Sequence, residues 1–449
     1  MNINIKDIGA AESNELQTEI IQKAIDECFL NGGGEVIVPA GTFLTGGIRL
    51  RSNVTLHLLE GAELVGSRDP EDYFNHFHDT LEPFDPELLS KEPRVSNIGE
   101  LKNYFKFGGR WYNALIRAYE AENLKIIGEK GSRINGMDCY DEMGEEAYRG
   151  PHAICFIKCK NISFSGYEIV NSSNWAHSMW YCNNLELSNI TVNAGHDGCH
   201  LRYCRNVYIH DSNFSTGDDC VAGYNIWNLT VENCELNTAC SAFRLGPTNA
   251  LIQNCHAYGP PKHLMRGTLS AEDKKAGVHE VPKNRKWDYM LSFWTYASVH
   301  YYTKENPGNE NIIFRNCTIE NVDRFMHYNF SGNEPWQSGC PLKDVKFENI
   351  KAENIRYPLT IYGDREKHIK LQMENADISM KEGFEEMPLI NAANFELIEL
   401  KNVHVKNAKG KTLIKKWSQD DNIVLENVNF SDDYEVSELQ TEKFTCQYI

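Results

Sequence analysis

The chain has 449 residues, 24% of them charged and 41% hydrophobic, with 45 basic against 63 acidic side chains and a net charge of −18. That balance argues against a nucleic-acid partner, which needs a basic stripe to meet phosphates. No run approaches the roughly 18 apolar residues of a membrane-spanning helix, so no membrane partner is expected.

The N-terminal Met1-Asn-Ile-Asn-Ile-Lys-Asp-Ile8 has no basic head ahead of an apolar run. The expected location is therefore cytoplasmic, with the 14 cysteines reduced. Residues 13–30 carry Ile20, Ile21, Ala24, Ile25, Cys28 and Phe29 at helical spacing, with Ser13 or Asn14 as cap and Gly32-Gly33-Gly34 as stop. Strand-like runs follow at Glu35–Val38 and Asn53–Leu58.

A repeat then begins. Ile162-Ser-Phe-Ser-Gly166, Leu185-Glu-Leu-Ser-Asn189, Val207-Tyr-Ile-His-Asp211, Leu229-Thr-Val-Glu-Asn233 and Ala250-Leu-Ile-Gln-Asn254 alternate apolar and polar residues and end on a small polar one. Their last residues are 23, 22, 22 and 21 apart, an earlier copy ends at Gly128, and later copies end at Asn316, Asn349, Asn375, Asn402 and Asn427. Alternation of period two means strands with one buried face. The repeat is too short for a βαβ crossover, which needs about 30 residues. The expected fold is all-β: one right-handed parallel β-helix over residues 1–449, capped by the helix at 13–30. Recurrent Asn fits a ladder of side chains at left-handed turn positions. Residues 68–112 and 267–310 break the rhythm as long loops, expected near a cleft. The second is rich in aromatics: Trp287, Tyr289, Phe293, Trp294, Tyr296, Tyr301 and Tyr302.

The chemistry concentrates in Gly195-His196-Asp197-Gly198 and, one repeat later, Thr216-Gly217-Asp218-Asp219-Cys220. Equivalent positions on stacked rungs lie about 4.8 Å apart. The repeat register sets Asp197 against Asp219, His196 against Asp218 and His177 against His200. Three clustered carboxyls cannot all ionise freely, so one supplies an acid while the others activate water, the set for inverting glycoside hydrolysis. A solvated acidic turn or a calcium site is the alternative. No CxxC pair is present, and neither a metal nor a cofactor is expected.

At these residues the chain resembles glycoside hydrolase family 28, the polygalacturonases and their relatives. The likeness runs from Lys6-Asp-Ile-Gly-Ala10 and Gly32–Gly46 through Trp111–Ile116, Asn123–Gly128 and Asn171–Trp175 to Asp197-Gly198 and Gly217-Asp218-Asp219-Cys220. It implies Asp218 as general acid, with Asp197 and Asp219 holding the water. Gly195-His196 stands where the family has Asn-Thr. No histidine stands near Cys240-Ser241, and nothing between Leu264 and Lys275 matches the family's Arg-Ile-Lys, leaving Arg266, Lys274 and Lys275 as loose cations.

Candidates to replace that grip are His196, His200, Arg202, Arg244 and Arg266, with Lys262 a weak one. Arg202 and Arg244 suit bidentate binding of a carboxylate, or alternatively an ion pair with the aspartates. Trp175 and the aromatics of 287–302 are candidates to stack on a sugar ring, although a lone Trp is more often core. The expected function is an inverting, exo-acting hydrolase of pectin-derived or related plant oligosaccharides. A β-helix lyase of uronic polymers and a non-catalytic carbohydrate-binding β-helix are the alternatives.

Overall fold

The computed structural model describes residues 1–73, 112–278, 288–298, 309–330, 337 and 340–437. They are nearly all strand, paired in parallel as a right-handed parallel β-helix. The chain divides into two compact units, one of residues 1–218 with 262–286 and one of 219–261 with 287–449. Among the described residues no helix is long and apolar enough to cross a membrane.

In the first unit the helix spans Thr18–Leu30 and buries Ile21, Ala24, Ile25 and Cys28, one stripe at helical spacing. That stripe packs on the strands Asn2–Asn4, Gly34–Val38, Ile48–Arg49 and Val54–Leu58. The expected start at residue 13 is too early. Gln17 occupies the cap position without a capping side-chain bond, and Ser13 accepts from the Glu15 amide outside the helix. Thr18 instead accepts from the Gly46 amide at 2.7 Å, tying the first turn to the coil beneath. Beyond Asn31, Gly32 and Gly33 take φ of 86° and 122°, which stops the helix.

The repeat strands build a dry interior. Leu124, Ile162, Leu185 and Val207 form one column of paired positions, and Ile126, Phe164, Leu187 and Ile209 the next. All eight are buried, each contributing about 1.5–3 kcal/mol for the larger side chains. The intervening polar residues face out. The coil offset is 23 residues at Ile162↔Leu185 and Glu168↔Thr191 but 22 at His177↔Cys199. One residue is therefore lost in the turn between. As a result His177 stands opposite Cys199, and Ser178 opposite His200, which corrects the pairing of His177 with His200.

The second unit repeats the plan. Leu229, Ala250, Ile312, Val345, Leu371 and Ile398 form a buried column. Phe243, Phe293, Phe314, Phe325 and Phe347 fill the interior with stacked and edge-to-face rings. Here the 267–310 segment differs from expectation. Met290–Tyr296 is a strand, and Phe293, Trp294 and Tyr296 are fully buried, so these three rings are core and not a cleft wall. Tyr289 carries the Arg356 guanidinium 3.6 Å over its ring. Trp287, Tyr301 and Tyr302 lie outside the described residues, as does 74–111 of the first long segment.

Asparagine ladders run along both units. In the first, Asn123 donates to Asn53, Asn161 to Asn123, Asn184 to Asn161 and Asn206 to Asn184, at 2.8–3.1 Å. In the second, Asn316, Asn349, Asn375, Asn402 and Asn427 each donate to the member before, starting from Asn254. Every rung sits near φ 50–62°, where Asn costs less than other residues with a Cβ. No disulfide joins any described cysteine.

Candidate active site

The aspartates sit where the backbone is crowded. A Cβ on Gly217 would lie 2.1 Å from the Leu264 carbonyl oxygen and 2.4 Å from that of Gly195, and one on Gly195 would lie 2.4 Å from Cγ of Arg266. Only glycine fits ahead of each carboxylate turn. Asp197 follows, its residue 2% exposed, with its Oδ2 2.5 Å from His200 Nδ1. His200 and Arg202 lie on one face of the strand Cys199–Arg202, while Cys199 and Leu201 take the other. The His200 ring stacks on Trp175 at 3.8 Å and 13°, and the Arg202 guanidinium lies 5.0 Å over Trp175 and 4.4 Å over Trp180. These three candidates thus form one buried stack behind Asp197. Trp175, 5% exposed, packs on protein groups, and Arg202 is held between indoles; neither presents the sugar-stacking or carboxylate-gripping surface expected of it.

Asp218 is the more open carboxyl, its side chain 15% exposed, and its Oδ2 is 3.9 Å from Nη2 of Arg149. Thr216 fixes the turn by donating to the Asp218 carbonyl at 2.7 Å. Arg149, itself buried, also meets Glu146 at 3.0 Å and Glu145 at 3.7 Å, and donates to Asn174 Oδ1 at 3.3 Å. Burial opposes its charge, but Glu145, Tyr148, Glu146 and Asp218 hold it charged. Burial pushes the Glu145 carboxyl up to about 7; Arg149 and Asn174 oppose that, and Glu146 and Asp197 add to it.

His196 is fully buried beside Tyr148, ring centroids 5.7 Å apart. Neither ring nitrogen has a hydrogen-bond partner among the described residues. Burial, then Arg149, Arg266, His152 and Lys274, drive its pKa far below the imidazole range, so the ring is neutral. Arg266 is buried too and pairs with Asp138 at 2.6 Å, both side chains 5% exposed or less. Its charge is spent on Asp138, which displaces the expected role in gripping substrate. Lys274 lies 4.1 Å over the Tyr148 ring and Lys275 5.1 Å over Tyr140, while Lys262 is exposed. His177 is structural: it bonds Tyr167 at 2.9 Å and the Gly198 carbonyl at 3.0 Å, and burial lowers its pKa to about 4.

In the second unit Asp219 is fully buried. Its Oδ1 accepts from the Ser241 amide at 3.1 Å and its Oδ2 pairs with Arg244 Nε. Arg244 also donates to Tyr224 at 2.8 Å. Of the two readings open for Arg244, the ion pair with an aspartate is the one formed.

Sequence reasoning missed Arg149, Glu145, Asn174 as a ligand of both, and Asp138. Apart from Asn174 they come from the segment Gly136 to Pro151, which lies outside the repeat, so no register argument reached them. Its one signal was Glu145-Glu146-Ala-Tyr-Arg149, acids three and four residues before an arginine.

All of these carboxylates, Asp197, Asp218 and Asp219, fall within residues 103–239, which match the model for glycosyl hydrolases family 28. Over this segment the chain is similar to the family 28 glycoside hydrolases. A probable polygalacturonase from Vitis vinifera is 22% identical over 78% of this chain and 75% of its own length. An exo-poly-alpha-D-galacturonosidase from Dickeya chrysanthemi is 28% identical over 49% of this chain and 41% of its own length. Among solved structures, the hyperthermoactive exopolygalacturonase from Thermotoga maritima superposes with a TM-score of 0.62 at 19% identity, covering 90% of this chain and 91% of that one. The family 28 exopolygalacturonase of Yersinia enterocolitica gives 0.55 at 16% identity, over 97% and 79%. These likenesses show the shared β-helix fold.

Proposed function

We propose that the protein is an inverting, exo-acting glycoside hydrolase of pectin-derived or closely related plant oligosaccharides. The observation that carries this is the complete carboxylate set, Asp197, Asp218 and Asp219, inside the segment that matches family 28. Asp218, the most exposed of the three, protonates the glycosidic oxygen as the bond breaks. Asp197 and Asp219 hold and deprotonate the water that enters from the opposite face, so the anomeric centre inverts. Exo action is supported by the exo-acting names of the Dickeya, Thermotoga and Yersinia relatives. Residence in a reducing cytoplasm is part of the same reading, supported by 13 cysteines without a disulfide among the described residues. Mass spectrometry of the unreduced protein tests it.

The decisive experiment compares leaving groups. Asp218→Asn is expected to lose ~100- to 10,000-fold on an oligosaccharide, whose leaving oxygen needs a proton, and far less on an activated aryl glycoside. Equal losses on both substrates would remove Asp218 from the acid role. Retention of configuration in the first-formed product would remove the inverting mechanism. An unsaturated, ultraviolet-absorbing product would replace hydrolysis by elimination.

A further inference from the structure

The segment Gly136–Pro151 folds back on itself. The strand Tyr140–Glu145 is bridged antiparallel to Arg149, at both Tyr140 and Glu145. The fold-back points one buried guanidinium at two carboxyls of different kinds. On one side is Glu145, whose Oε2 lies 3.7 Å from Nε; on the other is Asp218, whose Oδ2 lies 3.9 Å from Nη2. Asn174 braces the arrangement, accepting from Arg149 at 3.3 Å and donating to Glu145 at 3.5 Å. Arg149 is 5% exposed and the Glu145 side chain 13%, so solvent screens these contacts little.

We propose that Arg149 is a positioning residue for Asp218, and that Glu145 sets the strength of its hold by competing for the same guanidinium. The inference rests on the reading of Asp218 as the general acid. The groups that face Glu145 are Arg149 and Glu146 on its own fold-back, Asn174 from the turn after Glu168–Val170, and Asp197 from the turn before Cys199–Arg202. Those around Arg149 are Glu145, Glu146, Tyr148, Asp218 and Asn174, with Lys274 as the further cation in the cluster.

The guanidinium keeps its charge throughout. While Glu145 holds its proton, Arg149 is shared among Glu146, Asn174 and Asp218. Once Glu145 ionises, it draws the fork toward itself and slackens the grip on Oδ2. Glu145 titrates at about 7, pushed there chiefly by burial, so the exchange falls within the working range of pH. A displacement of an acid by about 1 Å costs up to ~100-fold in rate.

Two variants test this. Arg149→Lys keeps the charge and loses the fork. On an oligosaccharide it is expected to lower kcat about 10- to 100-fold with KM changed by less than about 3-fold, and to cost an activated aryl glycoside far less. That pattern follows from acting through Asp218. Equal losses on both substrates would make Arg149 merely structural and overturn the proposal. Glu145→Gln is isosteric with the protonated acid and carries the test if Arg149→Lys does not fold. Its kcat relative to the unmodified protein is expected to be near one below about pH 6 and to rise several-fold above about pH 8, because the competitor never ionises. A ratio that stays flat across that range overturns the role of Glu145. The outcome is separable from the assignment of Asp218. Leaving-group contrast in Asp218→Asn without contrast in Arg149→Lys sinks this inference alone; its absence in Asp218→Asn sinks both.

Discussion

Asp197 and Asp219 stand 22 residues apart in equivalent repeat positions, yet the two units hold them by different means. In the first unit Asp197 is bonded to an imidazole, which is itself backed by the flat face of Trp175 and then by Arg202. In the second, Asp219 is locked by a guanidinium and a backbone amide, with Tyr224 steadying the arginine. An arginine partner is a cation at every working pH, whereas a histidine partner is one only when protonated. The fold thus gives the two carboxylates proposed to serve the water equivalent repeat positions and different partners. The first sits against an imidazole, and the second against a permanent cation.

The largest expected effect of breaking that contrast is on Asp219. Arg244→Met leaves a fully buried carboxylate without its counter-charge. Loss of one partner of a buried pair costs about 3–5 kcal/mol, and the partial exposure of Arg244 puts this case near 3. Urea unfolding followed by tryptophan fluorescence reads it. Adding Asp219→Asn to Arg244→Met is expected to restore part of the loss, since the stranded charge goes with it. A double variant as unstable as the sum of the two singles would show that Arg244 stabilises by packing rather than by pairing.

Next comes His200→Gln, which sharpens the other side of the comparison. Glutamine offers Asp197 a neutral donor and gives up the ring stacked on Trp175. The expected cost is about 1–2 kcal/mol from the charged hydrogen bond and the stack, with turnover reduced about 10- to 100-fold as the carboxylate loosens. His200→Gln and Arg244→Met with the same stability loss would mean that the two holds are energetically alike.

The same contrast explains what was legible in the sequence. Asp197 and Asp219 announced themselves because they recur at the coil spacing, Asp218 because it adjoins Asp219, and the interior columns because a strand with one dry face must alternate. The shift of the coil offset from 23 to 22 residues was invisible, since a turn can drop one residue without altering the strand pattern on either side. It moved His177 from His200 to Cys199. Side-chain partners were harder still. Arg202 and Arg244 read equally well as substrate clamps or as ion pairs, Arg266 read as a loose cation, and only three-dimensional neighbours decide: indoles for Arg202, Asp219 for Arg244, Asp138 for Arg266. Arg149 and Glu145 were missed outright because they come from a fold-back with no place in the repeat. The aromatics of 287–302 misled for the opposite reason. Phe293, Trp294 and Tyr296 sit in a segment off the repeat spacing, yet they form an ordinary coil strand once the preceding insertion is set aside.

The smallest effect sets the floor of the comparison, where no charge is buried at all. The asparagine ladders were half legible: the row ending at Asn427 in the second unit follows the repeat ends that sequence marks, while the first unit's row, Asn53 to Asn206, runs through the strand beginnings instead. Asn375 is exposed at φ 56°, donates to Asn349 at 3.0 Å and accepts from Asn402 at 3.0 Å. Asn375→Ala meets the left-handed penalty of about 1–2 kcal/mol and loses two solvent-exposed bonds worth little each. Asn375→Gly loses the same bonds without the steric penalty. Alanine is therefore expected to destabilise by about 1 kcal/mol more than glycine in urea unfolding, with turnover unchanged in both. If the two variants are equally unstable, the side-chain bonds and not the backbone geometry hold the ladder, and neutral hydrogen bonds at the surface of a coil would rank closer to the buried ion pair of Asp219 than desolvation arguments allow.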